Sequence, residues 1–306
     1  MPKSQIRQFI LRHSITRNLF FFFFHKKANK RRLNKKIDNY KLSTIPIDDN
    51  LIVSLTSFPA RIEEVQYTVY SMLTQSVLPQ KIILWLAEEQ FKNKELDLPE
   101  RLLSLRNEIF EIRWCTDIRS YKKLIPAIKE FGGKNIVICD DDIFYRKHTL
   151  KKLIECHKEH PQDVICHIGQ QMCFSEDKLL LPYTDWNQVK QCFQSKNVLP
   201  IGGGTVLYPS IILQNSPLLL REDLFREIAF YADDIWFWFS VVSAGFAISI
   251  PKQSYKSMIY VNPEREYGIS NEMTLAKINE GKDMNDQQLK QLEKYLGKTI
   301  WQFLQK

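Results

Sequence analysis

NIVICDDDIFY, residues 135–145, is an apolar run rich in β-branched residues that ends in three aspartates before it turns apolar again. A short continuous apolar run of this kind predicts a strand buried in a parallel sheet. Open α/β sheets bind their ligands at the carboxyl ends of such strands. We therefore expect an α/β fold with a mainly parallel central sheet, and a site at Asp140, Asp141 and Asp142.

The three adjacent carboxylates predict a cation site. They repel one another, so the turn would be destabilised unless a cation shares it. Mg²⁺ and Mn²⁺ are hard ions that bind through one or two carboxylates together with substrate phosphates. In an extended chain Asp140 and Asp142 point to one side and Asp141 to the other, so Asp140 and Asp142 are the predicted metal ligands. The alternative is a solvated acidic turn after a strand.

Strand and helix patterns alternate on both sides of this stretch, as expected of an α/β domain. Strands are predicted at residues 51–56, 81–86, 109–115, 135–139 and 164–168. Helices are predicted at residues 62–73, 121–131, 148–160 and 223–230, from 231 onward, and within 286–305. Pro79 is expected to end the first of these helices. A linker pattern near residues 45–50 divides the chain into an N-terminal extension, 1–46, and a single α/β domain, 47–306.

The composition is that of an ordinary globular protein, with 44% hydrophobic and 25% charged residues in a chain of 306. The six cysteines form no C-x-x-C pair, so reduced thiols in the core are expected, and a reducing cytoplasm fits them. Cys156-His157 and Cys166-His167 do not favour a zinc site, because adjacent residues of a strand face opposite ways.

The net charge of +8 is concentrated in residues 1–36, which precede the first acidic residue, Asp38. Within them lies the apolar run 19–24, one leucine followed by five phenylalanines, far shorter than the roughly 20 residues that span a bilayer. Basic clusters around an aromatic run predict contact with an anionic membrane surface. The alternatives are a disordered leader or a helix packed on the domain. No recognition module accompanies the basic run, so no nucleic acid partner is expected.

Two further motifs lie in the second half of the chain. Gly202-Gly203-Gly204 predicts a tight turn, or a loop that contacts substrate; no Gly-Lys-Ser/Thr follows, which excludes a P-loop. Asp233-Asp234 opens an apolar, aromatic helix. One acidic residue there would serve as a cap, and the second exceeds that need.

With these motifs in view, the sequence from about Leu51 to Gln288 resembles glycosyltransferases of the GT-A fold that build bacterial surface polysaccharide, capsule or lipopolysaccharide. The resemblance rests on four motifs in order, namely residues 54–61 (SLTSFPAR), 120–126 (SYKKLIP), 140–145 (DDDIFY) and 232–236 (ADDIW). It implies a nucleotide-sugar donor, a UDP-sugar in preference, a divalent metal (Mn²⁺ or Mg²⁺) and a glycan or glycolipid acceptor.

The resemblance also implies roles for individual residues. The donor side comprises Thr56, Ser57, Arg61, Lys122, Lys123, Asp140 and Asp141. The acceptor side comprises Gly203, Gly204 and Trp236. Members that invert the anomeric carbon carry their general base in an acidic pair that heads a helix, a position matched by Asp234 with Asp233 beside it. Many members also place a late histidine on the metal, but no histidine follows His167.

The expected function is thus metal-dependent, inverting transfer of a sugar to a growing surface glycan, in the cytoplasm and peripheral on the inner face of the cell membrane. Lys122, Lys123 and Arg61 are expected to stabilise the leaving diphosphate; the alternative is that they are solvated surface cations. Two other functions remain open: a sugar-phosphate nucleotidyltransferase, and a non-enzymatic basic protein that binds membranes or polyanions.

Overall fold

A computed structural model of the chain describes residues 29–42, 44–189, 191–252, 258–266 and 283–305. The strands are β1 (Ile47–Thr56), β2 (Leu78–Ala87), β3 (Phe110–Cys115), β4 (Asn135–Ile138), β5 (Asp163–Cys166), β6 (Gly169–Gln171), β7 (Asn187–Gln188), β8 (Cys192–Ser195), β9 (Val198–Pro200), β10 (Val206–Tyr208) and β11 (Ala247–Ile250). The helices are α1 (Lys30–Asp38), α2 (Ile62–Leu73), α3 (Glu100–Ser104), α4 (Ile125–Phe131), α5 (Thr149–Glu159), α6 (Ser210–Asn215), α7 (Glu222–Ile228), α8 (Asp233–Ser243), α9 (Pro263–Glu266), α10 (Met284–Leu296) and α11 (Ile300–Leu304). Short 3₁₀ turns include Pro59–Arg61, Arg119–Lys123 and Gly202–Gly204.

Most of the strands that the structure describes belong to one eight-stranded sheet, in the order β3-β2-β1-β4-β10-β5-β11-β8. The pairs β1·β2, β1·β4, β2·β3 and β5·β11 are parallel. β10 is antiparallel to both of its neighbours, and the edge strand β8 is antiparallel to β11. A small second sheet joins β7, β6 and β9. The prediction of an α/β fold with a mainly parallel central sheet flanked by helices is confirmed.

The apolar runs form the centre of the sheet because they are buried on both faces. Ile52, Ile136 and Ile138 belong to the apolar cluster on one face. Their strand neighbours Val53 and Val137 belong to the cluster on the other face. This alternation is the two-residue period of a strand, and continuous apolar sequence is what a sheet covered on both sides requires.

Two predictions of element boundaries are wrong, and both involve proline. Pro79 does not end α2 but is the second residue of β2, paired with Asp48 next to a shift of register in β1, where a missing N–H is tolerated. The helix predicted from residue 121 begins instead at Ile125, after the 3₁₀ turn Arg119–Lys123. Pro126 lies in its first turn, where its missing N–H costs no helical hydrogen bond.

The described part of the N-terminal extension includes α1, which packs on the domain. Leu33 and Ile37 are buried in the apolar cluster, while Arg31, Arg32, Lys35 and Lys36 are exposed on the other face. The apolar run 19–24 lies outside the described residues. Within the part of the chain that the structure describes, no helix is long and apolar enough to cross a membrane.

Candidate active site

The predicted motifs converge at the ends of the central strands. The acidic turn 140–142 follows β4, and Ser57 follows β1, its parallel neighbour. The turn Gly202–Gly204 leads into β10, which pairs with β4 on its other side. Strand ends thus supply three sides of the site, and α8 closes it with Asp233 and Asp234 in its first turn.

Lys123 lies at the centre of this convergence. Its Nζ is 3.0 Å from Asp140 Oδ1 and 2.9 Å from Asp233 Oδ2, and only 6% of its side chain is exposed. Burial alone would lower the pKa of Lys123, but Asp140, Asp233 and Asp234 outweigh burial and hold the pKa well above its ordinary value. A permanently charged ammonium group therefore joins the acidic turn to the start of α8. This excludes the alternative that Lys123 is a solvated surface cation.

The turn 202–204 approaches this ammonium group most closely at Gly202. A Cβ on Gly202 would lie 2.7 Å from Lys123 Nζ and 3.0 Å from Asp234 Oδ1. The Gly202 N–H donates to both carboxylate oxygens of Asp234, at 3.2 Å each. Gly203 borders the same space, since its Cβ would lie 3.0 Å from Asp140 Oδ2. Gly204 faces away, toward Ile168 in the interior, and its acceptor-side assignment has no support in this geometry.

Asp233 and Asp234 both reach the corner formed by Lys123 and Gly202. Asp233 pairs with Lys123, and Asp234 accepts from Gly202. Burial raises the pKa of Asp234 to about 7, with the carboxylates of Asp233 and Asp140 adding to the effect against the opposing Lys123. A carboxyl group with a pKa near neutrality suits a general base, which works best when its pKa is close to the operating pH.

Asp141 and Asp142 lie together against Arg61. Asp141 accepts from Ser57 Oγ at 2.6 Å and from Arg61 at 2.9 Å, and Arg61 is 3.3 Å from Asp142 Oδ2. The predicted alternation of Asp141 against Asp142 is wrong, because β4 ends at Ile138 and residues 141–142 form a turn. Burial raises the pKa of Asp142 to about 7 and also raises that of Asp141.

Glu64 and Arg265 belong to this site, although the sequence analysis missed them. One guanidinium nitrogen of Arg265 is 2.7 Å from Glu64 Oε2 and 3.3 Å from Asp142 Oδ2. Glu64 also pairs with Lys30 of α1, at 2.9 Å. Both residues lie among other charged residues in the sequence, as surface residues commonly do, so no local pattern identifies them as part of the site.

Tyr145 is a further residue of this site, and sequence reasoning assigned it no role. Its hydroxyl donates to the Gly203 carbonyl at 3.0 Å and accepts from the Asp140 N–H at 3.0 Å. It thereby ties the glycine turn to the first aspartate. A buried tyrosine hydroxyl needs such partners, so a tyrosine three residues after the acidic run was a usable signal.

Two predicted site residues, Lys122 and Trp236, lie away from this convergence, and the hydroxyl of a third, Thr56, has a partner in β2. Lys122 is buried and pairs with Asp117 at 2.5 Å, so it does not reach the aspartates at 140–142 and 233–234. Trp236 is fully buried in the aromatic core, with its indole N–H donating to Leu218, and is not placed to contact an acceptor. Thr56 donates to the carbonyl of Trp85 at 2.8 Å.

The cluster fits a divalent cation by its charge. Its described carboxylates are those of Glu64, Asp140, Asp141, Asp142, Asp233 and Asp234. Its described cations are Lys30, Arg61, Lys123 and Arg265. When all are ionised the carboxylates exceed the cations by two charges, which a divalent ion would balance.

The ligands available to such an ion are few. Among the described residues, no three His, Cys, Asp or Glu side chains are arranged as a complete metal site. An ion would therefore rest on one or two carboxylates and take its other ligands from phosphate and water, as Mg²⁺ commonly does. Asp140 and Asp142 stay the predicted ligands.

No protein family and no curated protein matches this sequence. Among solved structures, the fold is similar to residues 1–349 of TarS from S. aureus, crystallised in complex with UDP. The TM-score is 0.43 and the identity 16%, over 72% of this chain. The chain spans 63% of the length of that structure. A likeness of this size carries no conclusion about activity.

Proposed function

We propose that this chain is a glycosyltransferase that moves a sugar from a nucleotide-sugar donor, a UDP-sugar in preference, to a growing bacterial surface glycan or glycolipid. The observation that carries the proposal is the double ion pair of Lys123, which sets an acidic turn at a strand end beside an acidic pair at a helix start. The first group suits a diphosphate with its cation, and the second suits an acceptor hydroxyl. Sugar transfer needs both in one cleft.

On the donor side, Asp140 and Asp142 would hold Mn²⁺ or Mg²⁺, whose charge would stabilise the leaving diphosphate. Arg61, fixed between Asp141 and Asp142, adds a second positive charge to the same turn. Charge that develops on a leaving group is best stabilised by groups already held in place, because they need no reorganisation during the reaction. Arg61 and Lys123 meet that condition, since carboxylates hold both.

On the acceptor side, Asp234 takes the proton of the attacking hydroxyl. The acceptor oxygen forms a bond to the sugar C1 as the bond from C1 to the diphosphate oxygen breaks, through an oxocarbenium-like state. Attack from the face opposite the leaving group inverts the anomeric carbon. Asp233, held by Lys123, orients the start of α8, and the Gly202 N–H holds the Asp234 carboxylate.

A place at the inner face of the cell membrane is part of the proposal. Surface glycans are extended on lipid-linked acceptors, so an enzyme held at the membrane meets them more often. The exposed cations of α1, together with the basic residues before it, suit anionic headgroups, each worth about 1 kcal/mol near such a surface.

A screen of nucleotide sugars tests the function. Full-length protein would be incubated with each donor, with Mn²⁺ or with EDTA, and followed by thermal unfolding and by mass spectrometry of the products. Ligand binding raises the unfolding temperature by mass action. We expect one UDP-sugar to stabilise the protein in a Mn²⁺-dependent way and to yield UDP, and Asp142→Asn and Asp140→Asn to abolish the Mn²⁺ dependence.

The other outcomes separate the competing functions. Release of pyrophosphate from a nucleoside triphosphate and a sugar phosphate would identify a nucleotidyltransferase. Absence of nucleotide binding and of any divalent dependence, with binding to anionic vesicles retained, would favour a non-enzymatic role. Asp223→Asn, on the exposed surface of α7, is the matched control for loss of one carboxylate.

A further inference from the structure

Arg265 reaches the acidic turn from a distant part of the chain. The segment 258–266 crosses the turn with two backbone hydrogen bonds, from Phe144 N to Ile259 O and from Val261 N to Asp142 O, each 2.8 Å long. This places a guanidinium nitrogen of Arg265 between two carboxylates, 2.7 Å from Glu64 and 3.3 Å from Asp142. Its side chain is 5% exposed. A buried cation is thus shared between the predicted metal turn and a carboxylate of α2.

This contact conflicts with a metal ion on the same carboxylate. Asp142 Oδ2 already lies 3.3 Å from Arg61 and 3.3 Å from Arg265. A divalent ion on Asp142 would face both guanidinium groups at short range, where like charges repel strongly because water screens them little. Arg61 has Asp141 as a second anchor, and Arg265 has Glu64. Of the two, Arg265 already makes its shorter contact with a residue outside the acidic turn.

We propose that Arg265 and a divalent cation compete for Asp142, and that Glu64 is the positioning residue that retains Arg265 when the cation is bound. The inference rests on the proposed function only for the place of the cation. Glu64 is suited to the task because it is buried on α2, 8% exposed, and independent of the acidic turn. Arg265 then keeps a charged partner in both states, so its release from Asp142 leaves no unpaired buried charge.

The competition has a measurable sign. Arg265→Met removes the competitor and should tighten the binding of Mn²⁺ alone by roughly tenfold, within the range of coupling between buried contacting charges. Glu64→Gln removes the residue that draws Arg265 away from Asp142 and should weaken the binding of Mn²⁺. Both changes also alter the local field, so neither single variant decides the question. The double variant decides it. If Glu64 acts only through its charge, Glu64→Gln weakens Mn²⁺ binding even when Arg265 is absent. If Glu64 acts by retaining Arg265, Glu64→Gln has no such effect once Arg265 is absent.

The experiment is a titration of the full chain with Mn²⁺, followed by the electron paramagnetic resonance signal of free Mn²⁺, for the wild type, both single variants and the double variant. We expect Glu64→Gln to weaken binding in the wild-type background and to have little effect in the Arg265→Met background. Glu63→Gln, on an exposed residue of the same helix, is the matched control. It should change the affinity for Mn²⁺ little in the wild-type and in the Arg265→Met background. Arg265→Lys should restore most of the competition, and thermal unfolding without metal checks that each variant folds.

The two proposals fail in different ways. If the wild type binds Mn²⁺ through Asp142 and Glu64→Gln has the same effect with and without Arg265, the retention role of Glu64 is overturned and the metal site stands. If Arg265→Met folds and binds Mn²⁺ no more tightly than the wild type, the competition is overturned. If neither the wild type nor the Arg265→Met variant binds Mn²⁺, with UDP absent or present, the metal site and the inference fall together.

Discussion

The Lys123 ammonium group lies 2.9 Å from the Asp233 carboxylate, which links the segment before β4 to the start of α8. The same nitrogen contacts Asp140 at 3.0 Å, and all three residues came from separate sequence motifs. Removing one partner of a buried ion pair leaves an uncompensated charge, which costs far more than the pair contributes. The two halves of the site therefore depend on one side chain.

Lys123→Met should lower both stability and transfer. The loss leaves Asp140, Asp233 and Asp234 close together without their shared cation, at a cost of about 3–5 kcal/mol in the free energy of unfolding. We expect kcat/KM for transfer to a soluble acceptor to fall at least about 10²-fold, since a buried catalytic carboxylate loses its counter-charge. Steady-state kinetics and thermal unfolding measure the two effects.

Lys122→Met is the matched control for this prediction. Lys122 is also buried and ion-paired, but to Asp117 and not to the acidic cluster. Its loss should reduce stability without a comparable fall in transfer. Equal losses of transfer in the two variants would mean that Lys123 has only a structural role.

Local patterns were sufficient for five strands of the central sheet, β1 to β5, and for the place of the acidic turn after β4, but β8, β10 and β11 of the same sheet were not predicted. Buried strands need continuous apolar runs, and the residues directly after them must lie at the sheet edge, as Asp140 does. The pairing within the site could not be predicted. Arg265 meets Glu64 only through tertiary folding, and the direction of Asp141 depends on where β4 ends. Pro79 shows the same limit, since its place next to a shift of register depends on the partner strand β1.

Asp142→Asn should stabilise the metal-free protein at high pH. Because the pKa of Asp142 is about 7 in the folded state and lower when unfolded, the folded state binds more protons between about pH 4 and 7. The stability that this group contributes is full below about pH 4 and is lost as the pH rises through 7. The variant avoids that loss, so its unfolding temperature should exceed that of the wild type by several degrees at pH 8, at about 2–4 °C per kcal/mol.

The difference between variant and wild type should shrink as the pH falls to 5. Thermal unfolding in EDTA at pH 5, 6, 7 and 8 measures it. Asp223→Asn is the control of opposite sign, because Arg221 holds the pKa of Asp223 below its ordinary value. A difference for Asp142→Asn that is independent of pH would show that the carboxyl group does not titrate in this range.

Replacement of Arg31, Arg32, Lys35 and Lys36 by glutamine should weaken binding to anionic vesicles. These side chains occupy the exposed face of α1, and glutamine keeps its helix propensity. At about 1 kcal/mol for each cation near the surface, we expect at least a tenfold loss of partitioning, measured by vesicle sedimentation. Binding by the wild type should weaken with salt, because the Debye length falls to about 3 Å at 1 M.

The control is the same loss of charge elsewhere on the surface, by replacement of Lys92, Lys94, Lys151 and Lys158 with glutamine. Removal of residues 1–28 is a third variant, which keeps α1 and its buried Leu33 and Ile37. Equal partitioning of the two glutamine variants would show that only net charge matters and that α1 is not a membrane-facing surface.

Asp234→Asn should lower transfer by about 10²–10⁴-fold, the usual contribution of a positioned general base, while donor binding survives. Because Asp234 has a pKa of about 7 and must be ionised to accept a proton, wild-type kcat should rise with pH through about 7. Asparagine cannot titrate, so the residual activity of the variant should lose that rise. Rates over pH 5–9 at saturating donor, with donor affinity measured by calorimetry, separate loss of the base from loss of binding.

Asp233→Asn distinguishes the two carboxylates. Asp233 is ion-paired with Lys123, so its replacement should cost more in stability and less in turnover than that of Asp234, and the rise of kcat with pH should persist. The reverse pattern would exchange the roles of the two residues. If neither variant slows transfer, the acceptor proton goes elsewhere, and inversion assisted by this acidic pair is not the mechanism.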